Sequence, residues 1–183
     1  MTSYIQNLNN TIQSAVKTFA NDISKKQSQG STIDRLKMSA VLKLITKFVG
    51  QSIPFASRNG FKVIDFKPGY VKALIPLKAN TNHFNAMYAG ALFTVAELPG
   101  GIISVFSFDE RFFPVLKDFK IDFLKMAKTD VTVEFSISAK ELERIEQEAI
   151  KHKKCPFVLQ GEIKDKNGEI VATTYANYQV RLR

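Results

Sequence analysis

One segment limits the possible folds more than any other. Met87–Phe108 is rich in Ala, Leu and Phe and carries a single charge, Glu97, which is also the only acid between Asp65 and Asp109. A helix apolar round most of its circumference has to be hidden, and only the strands flanking it are long enough to do so. The expected fold class is therefore α+β, with a curved antiparallel sheet wrapped round one long central helix. Pro99 predicts a disturbance of that helix near Val95, because its ring clashes with the carbonyl four residues back. Gly100 and Gly101 beside it permit close backbone approach.

The flanking segments read with period two. Phe61, Val63 and Asp65 lead into a Lys67-Pro68-Gly69 turn, and Tyr70–Pro76 returns as the second strand of a hairpin. Val115–Ala127 and Val131–Ser138 alternate apolar and polar residues, as strands buried on one face do. Lys140–Lys154 reads as a short charged helix with Leu142, Ile145 and Ala149 inward, its acids first and its bases last. Pro156–Lys164 and Glu169–Leu182 flank an Asn167-Gly168 pair, a strong hairpin signal.

The chain divides into a helical extension, residues 1–57, and a main domain, residues 58–183. Within the extension, Ile5, Leu8, Ile12, Val16 and Phe19 suggest a weak amphipathic helix. A second helix begins at Ser31 or Thr32 and runs to about Gly50, with a stripe of Leu36, Ala40, Val41, Leu44, Ile45 and Phe48 edged by Lys43 and Lys47. Such a helix docks on its own domain; the alternative is contact of residues 32–50 with an anionic membrane surface.

The formal net charge is +9 over 183 residues, and most of the excess lies in residues 1–60, with 8 bases and 2 acids. Nucleic acid is not the expected partner, since the later bases are dispersed among acids and no recognition motif occurs. One Cys and two His leave no material for a zinc cluster, and no uninterrupted apolar run approaches the roughly 18 residues of a membrane span. A cytoplasmic protein with no metal is expected.

Chemistry concentrates in Asn82–Glu97. Glu97 lies deep in an apolar helix, where a carboxylate is costly unless paired, ligated or raised in pKa. Ala89, Gly90 and Ala91 are small residues at the helix start, where free amides and the positive dipole end face outward. This segment resembles the signature of hotdog-fold acyl-CoA thioesterases, in particular the phenylacetyl-CoA thioesterase-like group and related families with Asn-His openings. Asn82 stands at the signature's Asn, Asn85 at its first Gly, Tyr88 at its His, Ala89 and Gly90 at its Gly-Gly, and Glu97 at its acid. Asn85, Tyr88 and Ala89 depart from the pattern.

The resemblance implies a hotdog fold across residues 58–183. It also implies Glu97 as general base or nucleophile, the Ala89 and Gly90 amides as oxyanion hole, and Asn82 positioning water or carbonyl. It further implies a homodimer or tetramer with sites across the interface, so that Glu97 acts with Asn82 and Ala89 of the partner chain. Coenzyme A enters as part of the substrate, with no bound cofactor. Asn85, Tyr88 and Phe93 would line the substrate path, and Lys125 and Lys128 are candidate contacts for its phosphates.

Two other readings fit the same residues. Hotdog 3-hydroxyacyl dehydratases pair a His and a Glu fourteen residues apart, as His83 and Glu97 are, although the prolines of that family are missing. A non-catalytic acyl-binding or scaffold role, with Glu97 in a structural ion pair, is the third. Cys155, near His152, Lys153 and Lys154, has a setting that could lower its pKa, but nothing nearby would orient it as a nucleophile.

Overall fold

The computed structural model describes residues 32–183 together with Ser14, Ala15, Val16 and Thr18. Most of the first expected helix lies outside the described residues. Val16, which is described, is fully buried in the core cluster.

Helix α1 (Thr32–Ser52) and the short α2 (Pro54–Arg58) lead into strands β1 (Lys62–Lys67) and β2 (Tyr70–Ile75). The apolar segment forms α3 (Ala89–Ser107), followed by β3 (Phe112–Phe123) and β4 (Val131–Ser136). Helix α4 (Ala139–His152), β5 (Lys154–Asp165) and β6 (Ile170–Leu182) complete the chain. The strands make one antiparallel sheet in the order β1-β2-β4-β5-β6-β3, with α3 packed against it. This is the hotdog architecture.

The turns follow from their residues. Gly69 and Gly168 both take positive φ at the tips of the β1–β2 and β5–β6 hairpins. At Gly69 any side chain would meet the Ile137 carbonyl. Ser138 caps α4, its Oγ accepting from the Glu141 amide, and Ile145 and Ala149 turn inward from that helix with Leu142 half-buried beside them.

Three expectations need correcting. Helix α3 runs through Pro99 without interruption. One lost hydrogen bond and a ring clash cost about 3 kcal/mol, which burial of Leu92, Val95, Leu98, Ile102, Ile103 and Phe106 in the core outweighs. Gly100 admits a side chain, not a backbone: an added Cβ would lie 2.2 Å from the Tyr178 ring, whereas Gly101 faces open space. On length and composition α3 could also cross a bilayer, yet most of it is enclosed by its own sheet.

Helix α1 docks through Val41, Ile45 and Val49, all buried. The ring of Phe48 meets Phe106 edge-on at 5.4 Å. The Thr46 hydroxyl accepts a 3.0 Å hydrogen bond from the Val63 amide, so α1 covers the free side of β1.

Candidate active site

The loop before α3 is organised by its asparagines. Asn82 Oδ1 accepts from the Phe84 and Ala86 amides, at 2.9 and 3.2 Å. Asn85 has φ of 56°, in the left-handed region that Asn tolerates next best after Gly. A Gly, the residue of the resembled signature at this position, would take this backbone without strain. Asn80 and Ala127 clamp the helix entrance, their carbonyls accepting from the Tyr88 and Met87 amides at 2.7 Å each.

Helix α3 starts at Ala89, capped by an extended Tyr88 whose side chain makes no cap hydrogen bond. The amides of Ala91 and Leu92 bond the Tyr88 carbonyl, leaving those of Ala89 and Gly90 without a partner among the described residues. The Tyr88 ring folds back over Gly90, whose missing Cβ would otherwise lie 2.4 Å from it. A cavity of about 330 Å³ opens at this helix end, lined by Asn82, Ala89, Leu92, Phe123, Lys125 and Met126 among others. With Asn82 Oδ1 occupied by the loop, that side chain can offer its amide hydrogens to the cavity.

Glu97 lies two turns further along α3, about 12 Å from Ala89 along the axis. It is half-buried, with no hydrogen bond or ion pair to its carboxylate among the described residues. Every buried side-chain N or O atom described has a partner, so the Glu97 carboxylate must reach solvent. Burial pushes its pKa above the ordinary glutamate value. Among the described residues of this chain, no Lys or Arg pairs with Glu97.

The remaining candidates are spread out. His83 is exposed, its ring 3.9 Å from that of Phe84. Phe93 is 40% exposed and packs edge-on against Phe119 at 4.6 Å. Lys125 pairs with Glu169, while Lys128 is exposed and outside the cavity. Cys155 is buried, and burial raises its pKa despite the bases beside it in sequence.

Sequence reasoning missed Tyr178. It is 2% exposed, stacks on Phe157 at 5.4 Å, and donates a short hydrogen bond from its hydroxyl to the Glu97 carbonyl. Burial, and then the charge of Glu97, raise its pKa. Gly100 was the signal: a glycine inside an apolar helix marks something that needs the space, though not what.

Fold and site together define a hotdog protein of the thioesterase-like kind. The profile of a domain of unknown function, DUF4442, matches residues 42–180, and the chain belongs to that family. A solved Pseudomonas aeruginosa protein of unknown function, described as a "probable thioesterase", is 39% identical with a TM-score of 0.74. The match covers 77% of this chain and 95% of that one. A Haemophilus influenzae thioesterase, 15% identical, superposes with a TM-score of 0.62 over 77% of this chain and 90% of its own. A mutant thioesterase from Pseudomonas aeruginosa, 14% identical, gives 0.62 over 78% and 94%. The last two likenesses concern the fold alone. No curated protein matches the chain.

Proposed function

We propose that the protein hydrolyses an acyl thioester of coenzyme A or another pantetheine carrier, at sites shared between two copies of the chain. The observation that carries this reading is Glu97: an unpaired, half-buried carboxylate, raised in pKa by burial and open to solvent. A carboxylate nearer neutrality is a better general base, and leaving it unpaired in an apolar helix has no structural benefit.

Glu97 takes a proton from water as the water oxygen adds to the thioester carbonyl carbon. The carbonyl oxygen becomes an oxyanion and is held by the Ala89 and Gly90 amides at the positive end of α3. Collapse re-forms the carbonyl and breaks the C–S bond, and the thiolate leaves with the proton held by Glu97. The products are a carboxylic acid and a thiol. Asn82 donates to the carbonyl or the water. Lys125 and Lys128 are the candidate contacts for phosphates of the carrier.

One carboxylate and one helix N-terminus about 12 Å apart cannot serve the same carbonyl. Two antiparallel copies of α3 would bring Glu97 of one chain to the N-terminus of the other. The open edge of β3, with Phe93 and Phe123 exposed near it, supports a homodimer formed there.

The test is release of free thiol from a series of acyl-CoAs by wild type and Glu97→Gln. Turnover should fall about 10²–10⁴-fold while the fold and oligomeric state persist. Unchanged turnover in the variant removes Glu97 from the mechanism. Acyl-CoA binding by wild type without thiol release assigns the acyl-binding role instead.

A further inference from the structure

A second cavity lies between α1 and the edge strand β1, with a volume of about 990 Å³. That is the size of a small-molecule pocket. It shares no lining residue with the cavity at the start of α3. Its floor is apolar, built from the half-buried Leu42 and the buried Phe61 and Val63. Its rim is cationic: Arg35, Lys43 and Lys47 line one side of α1, and Lys62 faces them from β1. Arg35, Ser39, Lys43 and Lys47 follow each other at intervals of four, so they form a single line along the helix, about 18 Å long. None of the four cations makes an ion pair among the described residues, and no acid is among the described residues lining the groove. Acids do pair with cations elsewhere among the described residues, as in Lys72–Glu134, Lys120–Asp122 and Lys164–Glu162, but none reaches this groove.

An apolar floor under a rim of unmatched cations is complementary to one kind of molecule. We infer that this groove binds a single-chain anionic amphiphile, its alkyl chain on Leu42, Phe61 and Val63 and its phosphate or carboxylate head among Arg35, Lys43, Lys47 and Lys62. The headgroup interaction is salt-dependent because the cations are exposed, and the chain interaction is not. The site stands independently of the hydrolytic reading, since Glu97 takes no part in it.

The experiment titrates the full chain with decyl phosphate below its micelle concentration, with decanol as the uncharged control. A parallel arm uses vesicles of phosphatidylcholine with and without phosphatidylglycerol. Saturable binding of monomeric decyl phosphate is expected, at least tenfold tighter than decanol and weakened by salt. Lys43→Glu with Lys47→Glu should weaken it at least tenfold. Ser39→Trp, which fills the groove from an exposed helix position, should abolish it. Both variants should melt like wild type, and Glu97→Gln should bind as wild type does. Absent binding, or binding that survives both groove variants, overturns the inference. So does binding to anionic vesicles alone, which would make the face a membrane-contact surface and not a ligand site.

Discussion

The two edges of the sheet are finished in opposite ways. At the β1 edge the chain closes the sheet itself: α1 lies along it, buries Val41, Ile45 and Val49, and supplies the Thr46 hydroxyl to the Val63 amide. At the β3 edge no described element pairs with the outer side of the strand. That strand carries half-buried Phe119 and Ile121, ends on an exposed Phe123, and is followed by exposed Leu124 and Met126. An uncovered edge with apolar side chains is a liability unless something pairs with it. The difference teaches where each part of the molecule gets its order. The β1 edge is a matter of intrachain stability, and the β3 edge is the one the proposed dimer would use to complete both the sheet and the reactive site.

The largest expected effect tests that division directly. Ala89→Pro removes one oxyanion amide at the first helical position, where proline is tolerated. Tyr88, at φ −63° and ψ 136°, already has the extended backbone that a following proline requires. Its turnover should fall about 10²–10³-fold. Mixing and reannealing it with Glu97→Gln should restore about a quarter of wild-type turnover, because half the dimers are mixed and each has one intact shared site. Mixtures as inactive as either parent would place the site within one chain and end the comparison.

A smaller effect comes from the edge itself. Ile121→Lys puts an inward-pointing charge on β3, the device natural edge strands use against pairing, and its long stem can snorkel to solvent. Sedimentation should show monomers, and turnover should drop by at least tenfold with melting little changed. A dimeric Ile121→Lys would move the interface off β3.

Next in size is the pH dependence. Burial raises the Glu97 pKa above its unfolded value, so the folded chain holds that proton more tightly. Stability is therefore lost as pH rises from the unfolded pKa through the folded one, and the loss persists at neutral pH. Glu97→Gln escapes it. The variant should melt above wild type at pH 7, and the gap should close below about pH 4, where the glutamate is neutral in both states. Turnover by wild type has the opposite slope, falling as pH drops through the raised pKa, because the base must be ionised. A variant less stable than wild type at pH 7 would mean that Glu97 makes a favourable contact in the fold.

Much of this architecture was legible from periodicity. The central helix, both hairpins and the charged α4 were all expected from apolar spacing and turn residues, because those signals are local. The failures cluster at prolines and at long-range contacts. Strand β3 begins at Phe112 and β5 at Lys154, each ahead of a proline that reads as a boundary. Pro114 is tolerated because β3 is an edge strand. Pro156 is tolerated because β5 pairs β4 only from Ile163 to Asp165, leaving its other end free on that side. Strand order, and hence which edge is open, depends on pairings such as Phe119 with Ala176 that no local pattern encodes. In the site, Glu97 stood out because a lone acid in an apolar helix is anomalous by itself. Tyr178 did not, because an aromatic in an alternating strand looks like any other core residue until its hydroxyl is placed on the Glu97 carbonyl.

The smallest effect belongs to the closed edge. Thr46→Val keeps the shape of the side chain and removes the acceptor for the Val63 amide. Leaving that amide unmatched should cost about 1–3 kcal/mol, a fall in melting temperature of roughly 2–4 °C per kcal/mol for a chain of this size. Thr46→Ser, which retains the hydroxyl, should recover most of the loss. Neither change should alter dimerisation or thiol release, since β1 and β3 lie at opposite ends of the sheet. If Thr46→Val dissociated the dimer or slowed turnover in step with its loss of stability, the two edges would be coupled through α3, against which both α1, by Phe48 on Phe106, and β3, by Phe119 on Phe93, already pack.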